Sequence, residues 1–182
     1  MMKRHREDVL VQHTVQVECI PDGSLMELRA GTLAQLTQAL GSSFTLVVHG
    51  QLVRLKGADA AAIGKTPPAS VVLPDKIELK DLKDLLWQTL ATCYDPEIPV
   101  NIVELGLIYG CELEAMDDGK MHVLIDMSLT APGCGMGESI AEEVCDKVLA
   151  LPLVGEITVN LVFDPPWDRS RMSEAAQLTL GL

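Results

Sequence analysis

The sequence of 182 residues has no apolar run near the roughly 20 residues that a membrane-spanning helix needs, so no spanning helix is expected. It also lacks Cys-x-x-Cys. The five cysteines stand at 19, 93, 111, 134 and 145, and the closest two are separated by ten residues. An odd count at such spacings fits neither a disulfide framework nor the common zinc patterns. The four histidines, at 5, 13, 49 and 122, form no His-x-x-x-His or His-Glu-x-x-His pair. A self-contained local metal site is thereby excluded as an expectation. Basic charge is scarce in the second half: residues 1 to 75 carry 7 basic and 7 acidic side chains, residues 76 to 182 carry 7 and 19. A net charge of -12 so placed repels phosphate backbones and makes nucleic acid a poor partner. A solvated acidic face is its simplest role, with a basic partner as the alternative.

What is present describes a folded chain: 48% apolar and 22% charged residues, enough to bury a core without covalent staples. The start, Met1-Met2-Lys3-Arg4-His5-Arg6-Glu7-Asp8, has basic residues but no apolar segment or small-residue cleavage site behind them. The expectation is no signal peptide and a cytoplasmic protein.

Gly64-Lys65-Thr66-Pro67-Pro68-Ala69-Ser70 interrupts two patterned regions. It divides the chain into a small β-rich module at 1–63, a linker at 64–75 and a second domain at 76–182. In the module, Thr14–Ile20 and Leu25–Arg29 alternate around Pro21-Asp22-Gly23, a hairpin turn. Phe44–Val48 and Gln51–Leu55 flank His49-Gly50 in the same way. Between them, Thr32–Leu40 has apolar residues at 33, 36, 39 and 40 before Gly41, spacing that predicts a short helix with a glycine cap. Cys19 reads as a small apolar strand residue.

In the second domain, Leu82, Leu85, Leu86, Leu90 and Cys93 mark one face of a helix capped by Asp81 and ended by Pro96. Leu105–Ala115 and Lys120–Thr130 read as a hairpin around Gly119, with Cys111 facing the core. Residues 136–150 return to helical spacing, and Cys145 packs as a hydrophobe beside the stripe of Met136, Ile140, Val144 and Val148. Glu156–Asp164 is a third strand stopped by Pro165-Pro166-Trp167, and residues 167–180 add a short closing helix or tail. The fold class expected is α+β: a small mostly-β module, then an αββαβ two-layer domain with a small mixed sheet.

By elimination, Cys134 is the cysteine left for chemistry. It lies in Leu129-Thr130-Ala131-Pro132-Gly133-Cys134-Gly135, between a strand and a helix. A thiol at a helix N-terminus has a lowered pKa. A tight turn with an incidental cysteine explains the same residues. The second constellation is Asp95-Pro96-Glu97-Ile98-Pro99-Val100-Asn101, a proline-stiffened loop whose Asp95, Glu97 and Asn101 can ligate, act as bases or cap backbone groups. Asp164-Pro165-Pro166-Trp167 is either an aromatic rim of that site or a strand stop.

These stretches, with Leu105-Gly106-Leu107-Ile108-Tyr109, resemble the PaaD-like family of metal–sulfur cluster biosynthesis proteins over about residues 77 to 170. The added N-terminal module makes the whole chain similar to the family's long, SufT-like form. The resemblance implies an accessory factor in iron–sulfur cluster assembly, not an enzyme, that delivers clusters or iron to client apoproteins through Cys134. It also implies that Asp95, Glu97 and Thr130 line the same pocket. Gly135 departs from the proline that many relatives carry after the cysteine. One thiolate is one soft ligand, so a transient iron–sulfur cluster on Cys134 needs Asp95 or Glu97, a small thiol, or the same cysteine of a second subunit in a homodimer. The partners implied are the cluster assembly machinery and its client apoproteins. The alternatives are a metal-independent adaptor that recruits clients, and a cysteine-nucleophile enzyme, which the lack of a nearby histidine disfavours.

Overall fold

The computed structural model describes residues 7–67, 77–131 and 135–182. The chain separates into two compact units, residues 1–70 with 96–99, and residues 71–95 with 100–182. The proposed linker at 64–75 falls largely outside the described residues, as does Cys134 with Pro132 and Gly133. None of the described helices is long and apolar enough to cross a membrane.

The first unit is one antiparallel sheet of six strands: β1 (Glu7–Leu10), β2 (Val15–Cys19), β3 (Leu25–Leu28), β4 (Leu33–Leu40), β5 (Ser43–Val48) and β6 (Gln51–Lys56). Its spatial order is β1-β4-β5-β6-β2-β3. Alternation puts Val17, Phe44, Leu46, Val48, Val53 and Leu55 into the core, and Cys19 is buried among them. Both expected hairpins form. His49 and Gly50 have φ of 51° and 85°, the left-handed pair that a two-residue hairpin turn requires.

The helix expected over Thr32–Leu40 is instead strand β4. Ala34 and Leu36 point inward at period two, whereas Leu33, which the helical spacing would bury, is 65% exposed. Pairing with β1 on one side and β5 on the other supplies its backbone partners, and an irregularity between Leu36 and Gln38 breaks the alternation that would have revealed it. Gly41 closes the β4–β5 turn rather than capping a helix. On the sheet face opposite the core, Glu18 and Arg54 are cross-strand partners and form a buried ion pair at 3.0 Å.

The second unit packs α1 (Leu79–Leu90) and α2 (Met136–Leu149) with a three-stranded sheet. Its strands β7 (Ile108–Ala115), β8 (Met121–Met127) and β9 (Val154–Leu161) lie in the order β7-β8-β9, the first pair antiparallel and the second parallel. A short helix α3 (Glu174–Leu180) follows. The α+β class with a small mixed sheet is as expected. Two details of α1 differ. Asp81 is not its cap but sits in the first turn, where its carboxylate accepts the Glu78 N–H at 3.3 Å. The helix stops at Leu90 rather than Pro96, because the Thr92 and Cys93 N–H groups bond to the Thr89 and Leu90 carbonyls and tighten the last turn.

Candidate functional site

The loop from Cys93 to Leu107 is built by its own backbone. Tyr94 and Asn101 form an isolated antiparallel bridge, and the Ile102 N–H donates to the Cys93 carbonyl at 2.9 Å. Residues 101–107 then coil tightly: Leu105 N–H donates to the Asn101 carbonyl, Gly106 N–H to Val103, and Leu107 N–H to Ile102. The Asn101 side chain caps this coil, its Oδ1 accepting the Glu104 N–H at 2.9 Å. Its amide oxygen therefore holds the loop in shape. Asp95 is 7% exposed, a buried carboxyl at the loop's start. Glu97 is exposed, and with residues 96–99 it is grouped with the first unit.

A second segment is laid against this loop. Ser128 N–H donates to the Leu107 carbonyl at 2.8 Å, so the exit of β8, Ser128-Leu129-Thr130-Ala131, runs from the coil toward α2. Thr130 is half-buried and Ala131 exposed. Leu129 packs on Gly137 in the first turn of α2, where a Cβ would collide with its methyl carbon. That contact ties the β8 exit to the start of α2. Asp95, Asn101 and Thr130 thus belong to one unit, with the coil and the β8 exit joined directly.

The C-terminal segment braces the coil. Trp167 Nε1 donates to the Leu105 carbonyl at 2.8 Å, and Ser173 N–H to the Glu104 carbonyl at 2.9 Å. The Ser173 hydroxyl also bonds the Glu104 carboxylate. The Arg171 guanidinium lies 3.9 Å from the centre of the Tyr109 ring. Gly106, at φ 69°, leaves room for the Arg171 carbonyl that a side chain would strike. Trp167 is therefore a staple on the loop. Sequence reasoning assigned no role to Arg171, Ser173 or Glu104, and Gly106 entered only as part of a motif, although an isolated glycine inside Leu105-Gly106-Leu107 signals close backbone approach.

Four cysteines lie among the described residues. Cys19 and Cys93 are buried. Cys111 is only half-buried, not the core residue expected, because β7 is incompletely covered, and Cys145, beside the apolar stripe of α2, is half-buried too. Burial pushes both thiols above their ordinary range; Lys83 partly opposes this at Cys111, and Asp146 and Glu142 add to it at Cys145. No group of three or more His, Cys, Asp or Glu among the described residues is arranged to hold a metal ion.

Residues 83–159 match the family model described as iron–sulfur cluster assembly protein. A Porphyromonas gingivalis protein named Fe-S protein maturation auxiliary factor is 46% identical over 104 residues, 57% of this chain and 95% of that protein. The Bacillus subtilis Fe-S protein maturation auxiliary factor YitW is 39% identical over 101 residues, 56% and 95% of the two chains. The Staphylococcus aureus factor SufT is 39% identical over 88 residues, 48% and 96%. Among solved structures, a domain of unknown function from Bacillus anthracis is 38% identical with a TM-score of 0.48, covering 57% of this chain and 94% of that one.

Proposed function

From the premise that the chain belongs to the iron–sulfur cluster assembly protein family, we propose that it is an auxiliary factor in iron–sulfur protein maturation that hands iron or a cluster to client apoproteins through Cys134. The observation that carries this reading is the joined pair of segments, the Asn101–Leu107 coil and the β8 exit, which lie inside the matched residues, the β8 exit ending three residues before Cys134 in the sequence. Helix α2 starts two residues after Cys134, and the positive end of a helix favours a thiolate over a thiol.

The cluster is cargo in this scheme. A single soft thiolate holds iron weakly enough to release it, and the remaining ligands come from Asp95 or Glu97, a small thiol, or Cys134 of a second copy. Thr130 contributes a hydroxyl four residues before Cys134 in the sequence, and Asn101 keeps the coil in register. The protein works in the cytoplasm with the assembly machinery and its clients and turns over no substrate. The related proteins are named auxiliary factors for Fe-S protein maturation, which supports an accessory role in that process.

The test is anaerobic reconstitution with iron and sulfide, followed by transfer to an apo-ferredoxin. Wild type gains visible absorbance and acid-labile sulfide and loses both to the ferredoxin, while Cys134→Ser gains neither. Equal iron and sulfide in the two proteins removes Cys134 from the ligand set. Absence of a chromophore in both, with client capture unchanged in Cys134→Ser, replaces the carrier by a metal-independent adaptor.

A further inference from the structure

Strand β9 is an edge of the small sheet, and the sheet's apolar face runs out from under α2 along it. Across the sheet Ile125 pairs with Val159 and Met127 with Leu161. Ile125 and Met127 are fully buried, whereas Val159 is half-buried and Leu161 is 37% exposed. Between this uncovered row and α2 lies a groove of about 440 Å³. Its floor is Val159, Leu161 and Ala141, with Cys145 on one wall. The rim is Glu138, Glu142 and Asp146, spaced by four along a single stripe of α2.

Among the described residues the lining contains no basic side chain. Lys147, the cation adjacent in sequence, is turned away to the Thr92 carbonyl at 2.8 Å and the Glu143 carboxylate at 2.9 Å. Like charges four residues apart repel and weaken the helix that carries them, a cost offset only when a cation sits between them. Three carboxylates over an apolar floor are complementary to alternating basic and apolar side chains. We propose that this groove seats a cationic amphipathic segment of a partner protein, its apolar residues on Val159 and Leu161 and its Lys or Arg groups on Glu138, Glu142 and Asp146. The raised thiol pKa of Cys145 keeps that wall uncharged. The surface stands apart from the cluster-carrier reading, since it uses neither Cys134 nor the coil.

The probe is a fluorescein-labelled peptide of alternating leucine and lysine, followed by fluorescence anisotropy at physiological ionic strength. Wild type and Cys134→Ser bind it alike. The variant Glu138→Lys/Glu142→Lys/Asp146→Lys weakens binding at least tenfold, and Leu161→Asn weakens it several-fold. A control with the same change of net charge elsewhere, Glu112→Lys/Asp117→Lys/Asp118→Lys, binds as wild type. Equal loss in the two triple variants means attraction to overall charge and overturns the site. So does equal affinity for a leucine–glutamate peptide, or no binding by wild type. A wild-type dimer in sedimentation that Leu161→Asn converts to monomer assigns the face to a second copy, and likewise overturns it.

Discussion

Gly106 shows how much one residue can decide. At φ 69° it occupies backbone space that an L side chain enters at a cost of about 1–2 kcal/mol, and a Cβ would also strike the Arg171 carbonyl. Gly106→Ala is expected to lower stability by roughly 2–3 kcal/mol in urea titration, the clash adding to the backbone term. The thiols respond to pH rather than to packing. Cys111 ionises less readily in the folded chain than in the unfolded one, because burial disfavours the thiolate. The unfolded chain therefore releases its proton first, and stability falls as pH rises through the ordinary thiol range near about 8.5. Replacement by alanine is expected to flatten the decline in urea midpoint on the alkaline side. Iodoacetamide should also label Cys111 and Cys145 more slowly than a free thiol at pH 8, a rate that peptide mass analysis resolves.

At the scale of elements, two polar contacts join segments that hydrophobic pattern alone would leave free to slide. Lys147 on α2 donates to the Thr92 carbonyl and hydroxyl just beyond α1 while paired with Glu143, itself buried. Lys147→Met keeps the aliphatic stem but removes those charged hydrogen bonds, and is expected to cost about 2 kcal/mol in thermal unfolding. In the first unit, Arg54 and Glu18 are 4% and 8% exposed and face each other across β6 and β2. Arg54→Met leaves a buried carboxylate without its nearest cation, for an expected loss of about 3–5 kcal/mol. A loss below 1 kcal/mol would mean that Lys56, 3.7 Å from Glu18, is a sufficient partner. Neither pair was legible in the sequence, since nothing in a linear pattern distinguishes a buried charge from a solvated one. The strand β4 was hidden for a related reason: its apolar spacing fits a helix locally, and only pairing on both edges selects the extended form.

The whole molecule carries a net charge of -12 and an isoelectric point near 4.6. Self-repulsion keeps the chains apart at neutral pH and vanishes at that point, so turbidity is expected to peak near pH 4.6 and to fall on either side. The family match lies between residues 83 and 159, which leaves the whole six-stranded sheet outside it and takes in only the segment 96–99 of the first unit. By itself the sequence determined the α+β class, both hairpins of the first unit, the second unit's order of elements, and the three motifs by which the family is recognised. These are local matters, settled by side-chain period, turn chemistry and proline placement within a few residues. Only the tertiary structure decided that Asn101 caps a coil, that Trp167, Arg171 and Ser173 brace it, that Leu129 seats on Gly137, and that β9 leaves an acid-rimmed groove. The brace and the groove depend on residues distant in sequence meeting in space, and in every case burial and hydrogen-bond satisfaction choose among roles that composition leaves equivalent.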